Sequence, residues 1–466
     1  MKKNLFIPVV ILLSFLFFSC KKESFINSPD ARLYFSADSI KFDTVFTTVG
    51  SITQSFKIFN DNDQKLRLSK VKLMGGNGSP YKINVNGIPS GEVDNIEVAA
   101  NDSIYIFVTV TVNPTAANLP FVISDSVLVS YNGNNRFVQL QAYGQNAHFL
   151  RDEIITNNTT WSNDLPYVIL GSLQVDTNIT LTINEGCRIY SHANAPFIVD
   201  GTLVSHGVKN NEVQFTGDRL DDPYKYLPAS WPGIYFRNTS KNNDLSYTNI
   251  KNAYQAIMVQ NPASNSNPKL SMHQCIIDNA YDAGILTVNS SIDADNTLIS
   301  NCGRNIFITL GGDYTFTNCT VAAYSNIYLL HKLPVLFASN AADQNGTTIT
   351  ADINAVFRNC IFWADNGITD NEVVTDKQGS NTFNVTFDHC LYKATDDPAN
   401  CILNSVIRNQ DPVFDSIDIT HNYYDFRTSL NPAPGVEQGA AIAFPKDLDD
   451  NNRSVGAPDL GAYEKQ

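Results

Sequence analysis

The feature that most constrains this chain is an internal repeat. Leu270-Ser-Met-His-Gln-Cys-Ile-Ile-Asp-Asn-Ala280 is echoed by Ile292-Asp-Ala-Asp-Asn-Thr-Leu-Ile-Ser-Asn-Cys302, and then by Tyr314-Thr-Phe-Thr-Asn-Cys319. Cys275, Thr297 and Cys319 are equivalent positions separated twice by 22 residues. Further copies stand at Phe357-Arg-Asn-Cys360 and Phe387-Asp-His-Cys390, with a looser one at Leu245–Asn249. A period of this length predicts a solenoid. Within each copy apolar and polar residues alternate (Leu270 and Met272, Ile292 and Ala294, Tyr314 and Phe316), which is strand periodicity. One short strand with one apolar face cannot bury that face alone, so successive coils must stack and share a core.

The residue before each Cys/Thr position is Gln274, Asn296, Asn318, Asn359 or His389. Asn tolerates the left-handed backbone of a sharp corner and can donate and accept along a stack. The Leu spacing of a leucine-rich repeat is missing. The pattern resembles a right-handed parallel β-helix of the pectate-lyase type, and that resemblance implies an all-β fold over residues 150–410.

The ends read differently. Lys2 and Lys3, then Leu5–Phe18, then Ser19-Cys20 form the charged, apolar and cleavage regions of an export signal over residues 1–19. The apolar run is short for a membrane span. Phe17-Phe18-Ser19-Cys20 resembles a bacterial lipoprotein box, which implies acylation of Cys20, a tether over residues 20–29, and a lipid anchor in the outer membrane, on either its periplasmic face or the cell surface. The formal net charge is −14, two units more negative once Lys2 and Lys3 are removed. That balance argues against nucleic acid or anionic lipid as a partner.

Residues 30–148 carry alternating runs such as Thr53–Phe59 and Ile104–Val112, punctuated by Gly75-Gly-Asn-Gly78 and Asn132-Gly-Asn-Asn135, which predict a β-sandwich. Ser79–Gly87 and Asn101–Pro114 resemble the N-terminal Ig-like module of Bacteroidetes surface lipoproteins. The triplets starting at Asp38, Asp43, Asp102, Asp125 and Asp415 are similar to the O-glycosylation motif of that phylum; ordinary strand-edge residues are the competing reading. Residues 411–466 end in Arg453-Ser-Val-Gly-Ala-Pro-Asp-Leu-Gly-Ala-Tyr-Glu464, which resembles the choice-of-anchor-Q C-terminus, and are expected to cap the last coil.

Of eight cysteines, Cys20 is the expected anchor, and the other seven lack metal-ligand spacing. Cys275, Cys319, Cys360 and Cys390 recur at one repeat position and are expected to form a buried column. Two residues before that position the outward column reads His273, Asp295, Thr317, Arg358, Asp388; two further back it reads Ser271, Asp293, Thr315, Val356, Thr386. His273, Asp293, Asp295 and Arg358 are therefore the candidate catalytic residues of a polysaccharide lyase or hydrolase acting on an acidic glycan. Asp293 and Asp295 are the candidate metal ligands, calcium being the one cofactor they suit. Against this, two acids are few for a lyase cluster, Arg358 beside Asp388 fits a surface ion pair, and no Gly-His-Gly, phosphate loop, zinc signature or nucleophile triad occurs. The alternative site is aromatic. Tyr224, Tyr226 and Trp231, on or beside an excursion over residues 219–230, offer flat faces on which sugar rings stack, or else pack over the coil as a lid. The leading expectation is a non-catalytic, lipid-anchored envelope protein whose β-helix binds a polysaccharide, surface glycan or other partner; the rivals are the enzyme and a purely structural envelope component.

Overall fold

The computed structural model describes residues 24–46, 50–113, 121–365, 367–428, 432–442, 444–454 and 456–466. Cys20 and the export signal lie outside the described residues. The chain divides into two units, 1–146 and 147–466. Both are built from strands, and no helix of the described residues is long and apolar enough to cross a membrane.

In the first unit, sheets of four and five strands enclose one apolar core. The strand Asp102–Val110 shows how sequence makes this face: Ile104, Ile106, Val108 and Val110 are buried while Tyr105 and Phe107 look outward. The strand Ser39–Phe46 pairs parallel with Asn134–Gln145, whereas the other pairings of that sheet are antiparallel.

The second unit is a 26-stranded sheet whose strands pair in parallel, two places on in sequence at the start and three places on from Thr180–Asn184 to Gln255–Gln260. This is a stack of coils with three strand rows, a topology consistent with a parallel β-helix. The first row runs through Thr180–Asn184, Thr202–His206, Asn243–Ser246 and Leu270–His273 to Ile353–Arg358 and Phe383–Asp388. The second contains Thr248–Lys251, Ile276–Asp278, Leu298–Ser300 and Thr320–Tyr324. The third contains Ile234–Phe236, Gln255–Gln260 and Leu336–Ser339. The register follows the repeat: His273 pairs with Asp295, Asp295 with Thr317, Thr317 with Arg358, and Arg358 with Asp388.

The corner between the first two rows is where the repeat phrase acts. Gln274, Asn296, Asn318, Asn359 and His389 all adopt φ between 46° and 53°. That left-handed turn aims the next side chain inward, so Cys275, Thr297, Cys319, Cys360 and Cys390 are buried in one column. The thiols donate to carbonyls of the preceding coil, Cys275 Sγ to Leu245 O at 3.3 Å and Cys390 Sγ to Phe357 O at 3.3 Å. Beside them Phe316, Phe357 and Phe387 stack at centroid distances of 5.5 and 5.0 Å. Each such pair adds about 1 kcal/mol beyond the area it buries. The 41-residue step from Cys319 to Cys360 contains an extra hairpin, Ala341–Gln344 paired with Thr347–Thr350.

The C-terminal segment lies along the flank of the coils. Gln274 Nε2 donates to Asp447 O at 3.1 Å, Asn318 Nδ2 to Asp459 O at 3.0 Å, and Asn359 Nδ2 to Ala440 O at 2.9 Å. Gly461 has φ +88°, and a Cβ there would stand 2.5 Å from Thr320 Oγ1, so only glycine allows this close approach. Leu448, Leu460, Ala462, Phe414 and Phe426 cover Leu298, Ala322, Ile361 and Trp363 on the outer side of the second row.

Candidate functional site

A second column of asparagines marks the corner between the second and third rows. Asn252, Asn279 and Asn301 adopt φ of 61°, 59° and 52°. Asn279 Nδ2 donates to Asn252 Oδ1 at 2.8 Å and to Tyr226 O at 2.9 Å, and Asn252 Nδ2 donates to Lys225 O at 2.8 Å. The ladder thus holds the 219–230 excursion against the corner and leaves the Tyr226 ring 48% exposed above it. Two other excursions converge here. Asn326 Oδ1 accepts the amides of Tyr328 and Leu329, both at 2.8 Å, in a tight loop that brings Tyr328 to the cleft. Tyr424 arrives on the hairpin formed by Ser416–Asp418 and Tyr423–Asp425, stacked on Phe426 at 6.0 Å.

Together these residues, with Lys225, Lys251, Asp278 and Asn422, line a cleft of about 260 Å³. Asp278 Oδ1 accepts from Ser300 Oγ at 2.7 Å and Asn301 Nδ2 at 3.3 Å, which fixes the carboxylate at the floor. Asn422 Oδ1 is buried with no protein donor. Burial raises the Tyr424 phenol above its ordinary value, whereas the Asp222 carboxylate and then the Tyr226 hydroxyl raise the Lys225 ammonium. Amides, one carboxylate, two ammonium groups and tyrosine rings suit a polyhydroxylated ligand: the polar groups hold hydroxyls and the rings pack on C–H faces. Asp278 is the one carboxylate among the described residues of the lining, so the cleft does not supply the carboxylate pair of a typical glycosidase.

Of the three aromatic residues singled out in the sequence, the structure brings only Tyr226 to this cleft. Trp231 is 1% exposed, stacks in the core against Phe215 at 6.4 Å, and donates Nε1 to Lys251 O at 2.8 Å. It is a core residue and not a surface platform, because the apolar column of the early coils needs a large ring there. Tyr224 is 41% exposed but carries the Arg219 guanidinium 3.6 Å from its ring centre and does not line the cleft. Tyr328, Tyr424 and Asn422 lie outside the repeat, which gives no sequence signal for them. The Asn-rich phrases Ile250-Lys-Asn252, Ile277-Asp-Asn279 and Ile299-Ser-Asn301 were a usable signal.

The acidic ladder is assembled in register but is not uniformly outward. Asp295 is 4% exposed: its Oδ1 accepts from Asn296 Nδ2 at 2.7 Å and its Oδ2 meets His273 Nδ1. The hydrogen bond to Asp295 raises the His273 imidazole above its usual value. Asp293 stands apart in a shallow groove of about 420 Å³ with Asp313 and Asn354, its carboxyl raised by burial and secondarily by Asp295. Arg358 Nε pairs with Asp388 Oδ2 at 2.9 Å, on a partly exposed surface. Among the described residues no group of three or more His, Cys, Asp or Glu side chains is placed to hold a metal ion, so Asp293 and Asp295 do not form a calcium ligand set by themselves.

No family model matches the chain, and no curated protein matches it. Solved structures resemble it only in part. A family 123 glycoside hydrolase from Clostridium perfringens aligns at 8% identity over 24% of this chain and 25% of its own, with a TM-score of 0.17. A PapD-like domain of human CEP192 aligns at 12% identity over 26% of this chain and 87% of its own, with a TM-score of 0.18. A protein of unknown function from Porphyromonas gingivalis aligns at 8% identity over 27% of this chain and 60% of its own, with a TM-score of 0.19. The chain spans about a quarter of the length of the first of these, and likenesses this weak carry no argument about function.

Proposed function

We propose that this chain is a lipid-anchored cell-envelope protein that binds a glycan at the corner of its solenoid, without cleaving it. In this reading Cys20 carries the anchor in the outer membrane, residues 30–146 form an Ig-like module, and the coils wind as a right-handed parallel β-helix. One observation carries the binding claim. Three excursions separated by about a hundred residues each deliver a tyrosine, Tyr226, Tyr328 and Tyr424, to one cleft above the Asn252–Asn279–Asn301 ladder. A purely structural solenoid has no need of such convergence, and rigid scaffolds commonly present ligand-binding side chains on loops. A glycan array probed with the purified full chain tests it: the reading requires a defined family of bound oligosaccharides, and an array with no bound sugar contradicts it.

A catalytic reading rests on a different observation, the raised carboxyl of Asp293 in the groove with Asp313 and Asn354. A carboxyl whose pKa is raised by its surroundings is the kind of group general acid catalysis uses. Release of reducing ends or unsaturated uronates from a bound acidic glycan, abolished by Asp293→Asn, would replace binding with catalysis as the function.

A further inference from the structure

The outer face of the four-stranded sheet in the first unit carries rings where a solvated strand would carry polar residues. Its outward positions include Tyr34, Phe59, Tyr105 and Phe107, interspersed with Lys57 and Lys82. Register gathers them, with Tyr34 opposite Phe59 and Lys57 opposite Tyr105. Tyr34, Tyr105 and Phe107 are 50%, 41% and 39% exposed. The rings form two near-parallel pairs. Tyr34 and Phe59 lie 4.6 Å apart between centroids with planes 10° apart, and Tyr105 and Phe107 lie 5.5 Å and 11° apart. Lys57 Nζ links the pairs, 4.6 Å from the Tyr105 ring centre and 5.9 Å from that of Phe59.

The charge on this face has one sign. No outward position of the four strands is Asp or Glu, and among the described residues neither Lys57 nor Lys82 has a carboxylate partner. The outer face of the five-stranded sheet is the contrast: Lys70 pairs there with Glu92 and Asp94, Lys72 with Glu92, and Arg67 with Glu97. In a chain of net charge −14, a face with two unpaired ammonium groups and no acid is a local inversion. An anion on it meets both cations without displacing a carboxylate.

We propose that this face binds an acidic polysaccharide, its sugar rings packed on the four aromatic side chains and its carboxylates on Lys57 and Lys82. Aromatic surface suits the C–H faces of sugar rings, and the ammonium groups supply charge-assisted hydrogen bonds to carboxylates. The composition disfavours a protein partner, whose interfaces are depleted in Lys and Ser: here Ser55 and Ser103 stand among the rings beside the two lysines. It disfavours nucleic acid as well. Binding to a phosphate backbone draws its affinity from many neutralised charges, and two lysines are few for that. The site belongs to the first unit and stands independently of the corner cleft, which lies in the second.

Affinity electrophoresis of the full chain tests this, in native gels containing polygalacturonate, alginate or hyaluronate, each beside its carboxyl-reduced form. At least one acidic polymer should retard the parent, and its reduced form should retard it far less. Tyr105→Ala with Phe107→Ala should weaken that retardation roughly fivefold or more. Lys57→Gln with Lys82→Gln should remove most of it, whereas Lys57→Arg with Lys82→Arg should keep it. The lysine variants decide the matter even where loss of the rings impairs folding. Tyr226→Ala, in the cleft, should leave the retardation unchanged. No retardation in any acidic gel overturns the proposal, as does equal retardation by a polymer and its reduced form. A loss with Tyr226→Ala but not with Tyr105→Ala and Phe107→Ala also overturns it, and assigns the acidic glycan to the cleft. Tighter binding of an oligothymidylate than of the retarding polymer would overturn it in favour of nucleic acid.

Discussion

Arg453 Nε donates to Asn296 Oδ1 at 2.9 Å, joining residues 157 apart in sequence. The same guanidinium reaches Gly461 O through Nη2 at 2.9 Å and Glu464 Oε2 through Nη1 at 3.1 Å, with both charged side chains buried. Asp447, wholly buried, accepts the amides of Asp449, Asn451 and Glu464. The terminal phrase from Arg453 to Glu464 is therefore a folded polar module that reads the corner asparagines of the repeat.

That arrangement predicts a large cost for half a pair. Arg453→Met should leave Glu464 buried without its cation and destabilise the segment by about 3–5 kcal/mol. Limited proteolysis should then cut between residues 411 and 466 while the coils resist. Equal protease resistance in variant and parent would show that the module is held by other means.

The thiol column predicts chemistry. Burial pushes the Cys275 thiol up to about 12, so it should stay unmodified by alkylating reagents at neutral pH until the chain unfolds. Cys275→Thr copies Thr297, whose Oγ1 donates to Asp295 O at 2.9 Å, but adds a methyl to a closed site and should cost about 1–3 kcal/mol. Mass-spectrometric labelling and chemical denaturation check the two halves.

Lys269 is wholly buried, and its Nζ donates to the carbonyls of Gln260, Arg237 and Asn238 at 2.6, 3.1 and 3.1 Å. Burial pulls its ammonium down to about 8. The folded value lies below the ordinary one of about 10.4, so between these values the unfolded chain holds more protons and this residue makes stability rise with pH. Comparing denaturation of the parent with Lys269→Met from pH 7.5 to 10.5, a range set by those two pKa values, should show the parent gaining on the variant. A flat difference would contradict the shift.

His273 behaves with the opposite sign. Its imidazole is raised by Asp295, so its contribution to stability is complete below about pH 6.5 and is lost as pH climbs through the folded pKa. The ring resonances of His273 followed by NMR should titrate above the free value, and Asp295→Asn should bring them back toward it.

The coil register was legible because each corner repeats the same chemistry. An Asn or near equivalent supplies the left-handed turn, and a small inward residue follows it, so Cys275, Thr297 and Cys319 occupy one position of the repeat. The inward or outward sense of Asp295 was not legible. Its burial depends on Asn296 and on its contact with His273, and a column position does not reveal what covers it. Trp231 was misplaced for a related reason: an aromatic beside an excursion looks like a surface platform, whereas the stacking partner that buries it, Phe215, lies one coil earlier. The cleft was half legible. The Asn ladder and Tyr226 stand in or beside repeated phrases, but Tyr328 and Tyr424 come from segments with no period, and only folding brings them together.

The central claim, that the corner cleft binds a glycan, is tested most directly by the affinity of the best array ligand for the parent, Tyr226→Ala, Tyr424→Ala and Trp231→Phe, read by titration calorimetry. Tyr226 and Tyr424 expose ring surface to the cleft, and each lost stacking contact of about 1 kcal/mol or more should weaken binding roughly five- to tenfold. Trp231 lies in the core, so Trp231→Phe should lower the melting temperature and leave the affinity of the folded protein near that of the parent. Unchanged affinity in both tyrosine variants would place the glycan elsewhere and contradict the account.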